Sequence, residues 1–242
     1  MEFRGYPEIG QFKKGLKSLE INLSDLQIQQ FIEYYELMVQ WNEVMNLTSI
    51  TSFPEVLLKH FIDSLSIVKV YRPTKDKIID MGTGAGFPGI PLKIAFPETE
   101  IVLLDSLNKR ILFLEEVIQK LNLKGITALH GRAEDYGRNI EYRGQFDLCV
   151  SRAVARLSSL SEYCLPYVKK GGYFISYKSG KVEEELTTAK HALEVLGAKE
   201  ENVCNFLLPG TDMERSLIVI LKTEETPDKY PRNAGKPTKA PL

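Results

Sequence analysis

Cysteine and histidine are scarce in this sequence, and long apolar runs are absent. The three cysteines, Cys149, Cys164 and Cys204, lie far apart without paired spacing, so we predict neither a disulfide framework nor a zinc site. No apolar run approaches the roughly 20 residues that a membrane-spanning helix needs, and the first residues contain no signal-peptide segment. We therefore expect a cytoplasmic protein without a metal and without membrane contact.

An excess of charge of either sign is also missing, since the formal net charge is −1. This balance neither indicates nor excludes nucleic-acid binding, because a local basic face matters more than the total. One segment near the C-terminus is basic: Lys229, Arg232, Lys236 and Lys239 stand there against the single acid Asp228. By composition alone, this proline-containing segment is typical of a solvated tail.

The first 72 residues are predicted to form a helical cap. Ser24 followed by Gln27 matches a capping box, and residues at three-and-four spacing, Tyr35 among them, then form one face as far as Asn42. A second helix is predicted to begin after Ser52, with Pro54 in its first turn.

From Lys77 onward, short apolar runs alternate with amphipathic segments, which predicts βαβ units. The predicted strands lie at 77–81, 100–105, 126–130, 146–151, 172–178, 202–209 and 216–223. The short loop at 210–214 predicts an antiparallel hairpin of the last two strands. The fold class is therefore α/β. We expect a Rossmann-like, mostly parallel seven-stranded sheet with helices on both faces in 73–225, after the cap (1–72) and before a basic, proline-rich tail (226–242).

A glycine-rich loop, DMGTGAGFPG at 80–89, follows the first predicted strand. Residues 84–89 match the dinucleotide pattern G-x-G-x-x-G, but the first glycine after the strand is Gly82, so the register is poor. Asp80 before the glycines suits a ligand with an ammonium group, such as S-adenosylmethionine, and repels a pyrophosphate. A nucleoside triphosphate is excluded because no Gly-Lys-Ser/Thr ending is present. We predict that Asp80, Gly82, Gly84 and Gly86 hold the cofactor.

Two more acids follow the next two strands. Asp105 ends the second strand, where a carboxylate can accept hydrogen bonds from ribose hydroxyls, and it could also cap the next helix. Ala133 and Glu134 follow the third strand, where an acid and a backbone amide can recognise an adenine edge. Together, the three acids favour S-adenosylmethionine, and the predicted parallel sheet with one reversed strand resembles the class I methyltransferase fold.

Seven segments carry a resemblance to a known family: 41–51, 57–65, 80–94, 103–115, 131–135, 151–166 and 229–242. In order and without large gaps, they resemble the bacterial small-subunit ribosomal RNA guanine-N7 methyltransferases, formerly called glucose-inhibited division protein B. The resemblance implies methylation of N7 of a guanine in a loop of 16S ribosomal RNA, with S-adenosylmethionine as cofactor. It also implies that the cofactor contacts Gly82, Phe87, Ala133, Glu134 and Arg152.

Guanine N7 has a free lone pair and no proton to lose, so the reaction needs no general base, and we predict no certain catalytic residue. Arg152, at the end of the fourth strand, is the one candidate. It could bind the cofactor's carboxylate or the guanine edge, or form an ion pair with Asp147 or Glu134. Cys149 lies within a strand and has no supporting base nearby in the sequence, which argues against a cysteine nucleophile.

The expected partner is 16S ribosomal RNA or a 30S assembly intermediate, and the default oligomeric state is a monomer. The candidates for RNA contact are Arg156, Lys178, Lys229, Arg232, Lys236 and Lys239. Three alternatives remain open: a methyltransferase for a small molecule or a protein, a non-catalytic ribosome-assembly factor that keeps the cofactor site, and, more distantly, a nicotinamide oxidoreductase.

Overall fold

The computed structural model describes residues 5–153, 155–180 and 182–242, and its N-terminal region is helical, as predicted. The elements there are α1 (Ile9–Ser18), α2 (Asp25–Asn42), α3 (Phe53–Val56), a π-helical segment (Leu57–Ile62), α4 (Asp63–Leu65) and a 3-10 turn (Ser66–Lys69). The capping box is confirmed. The backbone N of Gln27 donates to Ser24 Oγ at 3.2 Å, and the backbone N of Ser24 donates to Gln27 Oε1 at 2.8 Å. Pro54 lies in the first turn of α3.

Seven strands form one sheet in the order β3-β2-β1-β4-β5-β7-β6. They are β1 (Lys77–Met81), β2 (Glu100–Asp105), β3 (Ile126–His130), β4 (Phe146–Ser151), β5 (Val168–Lys178), β6 (Ala198–Leu207) and β7 (Glu214–Lys222). β7 is antiparallel to both of its neighbours, and the pairs among β1 to β5 are parallel. The mostly parallel sheet with one reversed strand is therefore confirmed.

The bounds of the first four strands agree with the prediction, whereas β5 and β6 begin four residues earlier than expected. β6 is an edge strand whose first residues after Ala198 are exposed, so no apolar pattern marks its start. The start of β5 was missed because Lys169, Lys170 and the glycines at 171–172 interrupt its apolar run, and its pairing with β4 is irregular there.

Helices cover both faces of the sheet, as predicted. They are α5 (Gly89–Ala95), α6 (Asn108–Lys120), α7 (Ala133–Tyr136), α8 (Leu157–Cys164), α9 (Glu183–Val195) and α10 (Lys236–Lys239), with a 3-10 turn (Leu165–Tyr167) after α8. Ile78 and Ile79 are neighbours on β1 but belong to separate buried clusters, because successive strand residues point to opposite faces. The cluster of Ile78 also contains the buried residues of α1 and α2.

Because β1 to β5 are parallel, their carboxyl-terminal ends all lie along the same edge of the sheet. Because β7 is reversed, its first residues lie at this same edge, where Ser216 pairs with Lys178, the last residue of β5. Ligands of open α/β sheets bind at this edge.

Among the described residues, no helix combines the length and the apolar character that crossing a membrane requires.

Candidate functional site

Asp80 ties the two ends of the glycine-rich loop together. Its carboxylate is fully buried, and Oδ2 accepts hydrogen bonds from Thr83 Oγ1 at 2.6 Å and from the backbone N of Gly89 at 2.8 Å. Gly82, with φ +68°, allows the chain to turn directly after β1, and its backbone N donates to the Leu104 carbonyl at 2.9 Å.

The second oxygen of Asp80, Oδ1, is buried and has no hydrogen-bond partner among the described residues. Burial raises the pKa of Asp80 to about 7, although the hydrogen bonds from Thr83 and Gly89 oppose this shift. A buried acceptor with this pKa gains most from a cationic ligand, which would favour its ionised form.

Residues of the helical cap pack against the glycine-rich loop and hold it in place. Tyr34 on α2 is fully buried, and its hydroxyl donates to the carbonyl of Ala85 in the loop. A Cβ added at Gly86 would lie 2.8 Å from Tyr34 Oη, so only glycine fits this close approach. The Phe87 ring stacks on His60, with centroids 4.4 Å apart.

Tyr34 was missed by the sequence reasoning because the three-and-four spacing selected its neighbour Tyr35 for the buried stripe. Tyr35 is only half-buried. The available signal was a second tyrosine next to that stripe, since a buried tyrosine needs a partner for its hydroxyl.

A cleft of about 320 Å³ opens between the loops that follow β1, β2 and β3. Of the predicted cofactor residues, it is lined by Gly82, Asp105, Ala133 and Glu134. The structure therefore brings these four together, whereas Asp80, Gly86 and Phe87 are buried in the packing of the loop.

Asp105 lies at the wall of the cleft and fixes the turn before α6, but it is not the N-cap of that helix, since the N-cap is Leu107 and no side chain caps it. Its Oδ1 accepts from the backbone N of Leu107 at 2.9 Å, at the start of α6. Its Oδ2 accepts from the backbone N of Gly84 at 3.0 Å and pairs with Arg110 at 3.1 Å. Gly84 thus contributes through its backbone N–H, which fixes the Asp105 carboxylate.

The C-terminal segment is folded against this cleft. The backbone N of Gly235 donates to Glu134 Oε1 at 2.8 Å, and both Gly235 and Thr238 line the cleft. The interpretation of a solvated tail is therefore wrong for this part of the segment. Sequence reasoning missed both residues, because nothing in their spacing relates them to a site about a hundred positions earlier.

Arg232 anchors the tail to α8. Its guanidinium forms three hydrogen bonds with the fully buried Glu162, from Nε to Oε1 at 2.8 Å and to Oε2 at 3.0 Å, and from Nη2 to Oε2 at 2.6 Å. The backbone N of Arg232 also donates to Glu162 Oε1. In contrast, Lys229, Lys236 and Lys239 are exposed.

Arg152 is held by the helical cap. Its Nη1 donates to the His60 carbonyl at 3.1 Å and to Ser64 Oγ at 2.8 Å. Its Nη2 donates to the Lys59 carbonyl at 3.1 Å and pairs with Asp63 Oδ2 at 3.1 Å. The guanidinium also lies 5.6 Å from the centroid of the Phe87 ring.

The predicted alternative partners of Arg152 were wrong, since its carboxylate partner is Asp63. Asp147 pairs with Lys169, and Glu134 accepts a hydrogen bond from the backbone N of Gly235 in the tail.

Burial and the charge of Arg152 lower the pKa of His60 to about 4, so this imidazole is neutral at pH 7.

A second cleft, of about 510 Å³, adjoins the first, since both are lined by Ala153 and Ala155. Its lining includes four cations within the described part of the chain, Arg152, Arg156, Lys178 and Arg215. Arg156 is exposed, whereas Lys178 donates to Glu185 Oε1 at 2.6 Å and to the Ala155 carbonyl at 2.7 Å. Sequence reasoning missed Arg215; the signal was its place at the start of the reversed strand.

The sequence model of the family described as "GidB: rRNA small subunit methyltransferase G" matches residues 27–217. The chain belongs to this family. A ribosomal RNA small subunit methyltransferase G of Lachnoclostridium phytofermentans is 60% identical over 232 residues, which are 96% of this chain and 96% of that protein. Another, from an Exiguobacterium species, is 51% identical and covers 96% of this chain and 98% of its own.

Two solved structures share the fold at low identity. Trm5b from Pyrococcus abyssi has a TM-score of 0.53 at 16% identity, covering 74% of this chain and 52% of its own. Precorrin-6y C5,15-methyltransferase from Geobacter metallireducens has a TM-score of 0.50 at 15% identity, covering 67% of this chain and 88% of its own. The predicted class I methyltransferase fold and the family resemblance are confirmed.

Proposed function

We propose that this protein transfers a methyl group from S-adenosylmethionine to N7 of a guanine in 16S ribosomal RNA. The observation that carries the proposal is the meeting of two clefts at Ala153 and Ala155. One cleft has acidic groups suited to the cofactor, and the other is lined by cations suited to RNA. Membership in the small-subunit methyltransferase family supports the same pairing.

The residues of the first cleft fit the cofactor. Asp105 and Glu134 offer carboxylates where ribose and adenine need acceptors. Asp80 does not line the cleft, but in the adjoining loop its Oδ1 is a buried acceptor with no partner among the described residues. The absence of a side chain at Gly82 keeps the space toward Ala153 open, since an added Cβ would lie 3.7 Å from Ala153 Cβ. When bound, S-adenosylmethionine supplies the methyl group from its sulfonium.

The protein's contribution to the chemistry is alignment rather than proton transfer. N7 carries no proton, so no side chain has to remove one, and a fixed arrangement of the two clefts supplies proximity and orientation. Arg152 lines the second cleft, next to Ala153 of both clefts, and is held rigidly by the cap, which suits a residue that positions cofactor or base.

For the RNA, we propose contacts from the exposed side chains of Arg156, Lys229, Lys236 and Lys239. Lys178 and Arg232 are engaged in ion pairs and would act by holding the rim and the tail in place. A ribosomal substrate would put the activity in the cytoplasm, on free 16S RNA or on an assembling 30S subunit. That the protein acts as a monomer stays a prediction.

The test is transfer of labelled methyl from S-adenosylmethionine to 30S subunits and 16S RNA that lack the modification. We expect label in 7-methylguanosine. We also expect a rise of tenfold or more in the cofactor KM for Glu134→Ala, with no change for Glu141→Ala, an exposed glutamate seven residues further on. Label in another nucleoside would exclude N7 as the target. Cofactor binding without any RNA labelling would favour the small-molecule or assembly-factor alternatives.

A further inference from the structure

Asp63 joins two arginines that are far apart in the sequence. Its Oδ2 lies 3.1 Å from Arg152 Nη2, and its Oδ1 accepts from Arg215 Nε at 2.9 Å. The carboxylate is only 5% exposed, so both of its oxygens are committed to these guanidinium groups. A buried carboxylate between two arginines fixes the direction of both side chains.

The two arginines differ in the donors that they have left. The Nη atoms of Arg152 are engaged by the carbonyls of Lys59 and His60, by Ser64 and by Asp63. Arg215 uses Nε for Asp63 and Nη1 for the Glu214 carbonyl at 2.8 Å. Its Nη2 has no hydrogen-bond partner within the described ranges.

Arg215 lies where a nucleic-acid substrate would have to pass. It lines the 510 Å³ cleft, which meets the cofactor cleft at Ala153 and Ala155. It is at this edge only because β7 is reversed, with the next residue, Ser216, paired with Lys178. Of the described residues, four cations and two carboxylates, Asp63 and Glu185, line the cleft, on a chain whose net charge is −1.

We propose that Arg215 binds a backbone phosphate of the RNA next to the target nucleotide, and that Asp63 is the positioning residue that aims it. Asp63 fixes the Nε edge of the Arg215 guanidinium, and Nη2 can donate to a phosphate oxygen. A phosphate contact sets the register of the RNA strand without reading its sequence. This inference rests on the proposed RNA substrate and adds the residues that hold it.

The first test compares Arg215→Ala and Arg215→Lys with Lys199→Ala, a cation on β6 that is paired with Glu201 and lies outside the cleft. For Arg215→Ala we expect the KM for RNA to rise about tenfold with kcat within twofold. The slope of log Kd for RNA against log salt should fall by about 1. Arg215→Lys should restore the salt slope and only part of the KM. Lys199→Ala should match the unchanged protein.

The second test is Asp63→Asn, for which two explanations predict opposite signs. If Asp63 acted only through its charge, removing it would strengthen RNA binding, because the cleft becomes more positive. If Asp63 aims Arg215, RNA binding weakens several-fold while the salt slope stays unchanged. The unfolding midpoint and the far-UV circular dichroism spectrum, measured on the same samples, show whether each variant is folded.

The outcomes separate this inference from the proposed function. Methyl transfer to RNA with an Arg215→Ala variant indistinguishable from Lys199→Ala overturns the role of Arg215 and leaves the function intact. Tighter RNA binding by Asp63→Asn overturns the positioning role. If the unchanged protein neither binds nor methylates the RNA, the proposed function itself fails.

Discussion

The Asp80 carboxylate accepts hydrogen bonds on Oδ2, whereas Oδ1 has no partner among the described residues, so this one residue destabilises the fold and offers an acceptor to a ligand. Its pKa of about 7 in the folded protein lies above the ordinary value of 3.8. Between pH 4 and 7 the folded state keeps a proton that the unfolded state loses. Stability therefore falls as the pH rises through this interval, by about 1.4 kcal/mol at most for each pH unit.

We expect Asp80→Asn to be more stable than the unchanged protein above pH 7 and to lose that advantage near pH 4. The amide keeps an oxygen for Thr83 and Gly89 and places a neutral NH2 at the unpartnered position. Cofactor affinity should fall tenfold or more, because the acceptor for a cation is lost. Urea unfolding from pH 4 to 8 and calorimetric titration with S-adenosylmethionine measure both effects. Asp135→Asn, at an exposed acid, is the control, and equal pH slopes for the two variants would contradict the prediction.

At the scale of elements, α2 supports the glycine-rich loop through one hydroxyl. Tyr34→Phe leaves the Ala85 carbonyl without its donor in a buried site, which costs about 1–3 kcal/mol. We expect a lower unfolding free energy of that size and a several-fold weaker affinity for the cofactor. The matched control is Tyr35→Phe, since Tyr35 is half-buried and donates to the Thr51 carbonyl, away from the loop. Loss of stability with unchanged cofactor affinity would show that the loop does not depend on α2.

The tail is the second element whose anchoring can be tested. Arg232→Ala leaves the Glu162 carboxylate buried and unpaired, and breaking a buried pair in this way costs about 3–5 kcal/mol. We expect weaker cofactor binding as well, because Gly235 and Thr238 lose their place at the cleft.

Replacing both partners, Arg232→Leu with Glu162→Leu, should recover much of the lost stability. Lys239→Ala, an exposed cation of the same tail, is the control for charge and should leave cofactor affinity unchanged. Unfolding curves and titration with S-adenosylhomocysteine provide the two measurements. An Arg232→Ala protein that binds the cofactor normally would show that the tail does not complete the cleft.

How much of an element could be predicted from the sequence depends on where its contacts come from. β1, β2 and β4 are mostly buried apolar runs, so their pattern marks them well, whereas the first part of β6 pairs through its backbone with exposed side chains. Asp105 and Glu134 were predictable because each ends or follows a strand. The pair of Asp63 and Arg215, 152 residues apart, follows from strand order and cap packing, which no local pattern encodes.

Over the whole molecule, positive and negative charges nearly balance, but they are unevenly distributed. The net charge is −1, yet cations predominate in the cleft beside the cofactor site. We expect the KM for RNA to rise steeply with salt while the cofactor's Kd changes little. The five proposed contacts, from Arg156, Arg215, Lys229, Lys236 and Lys239, would give a slope of about −3.5 for log K against log salt on a single strand. Methyl transfer measured from 50 to 300 mM salt tests this, and a salt-independent KM would contradict it.

The π-helical segment Leu57–Ile62 makes the position of the Arg152 contacts depend on the number of residues in this part of the cap. A π-turn uses one residue more than an α-turn, so it is equivalent to a single-residue insertion in a helix. Deleting one residue there would turn everything beyond it by about 100° relative to the preceding turn. Asp63 and Ser64 would then rotate away from the carbonyls of Lys59 and His60, and Arg152 could no longer reach all four groups. A one-residue deletion that leaves Lys59, His60, Asp63 and Ser64 in the sequence would therefore still break the set of contacts that holds Arg152.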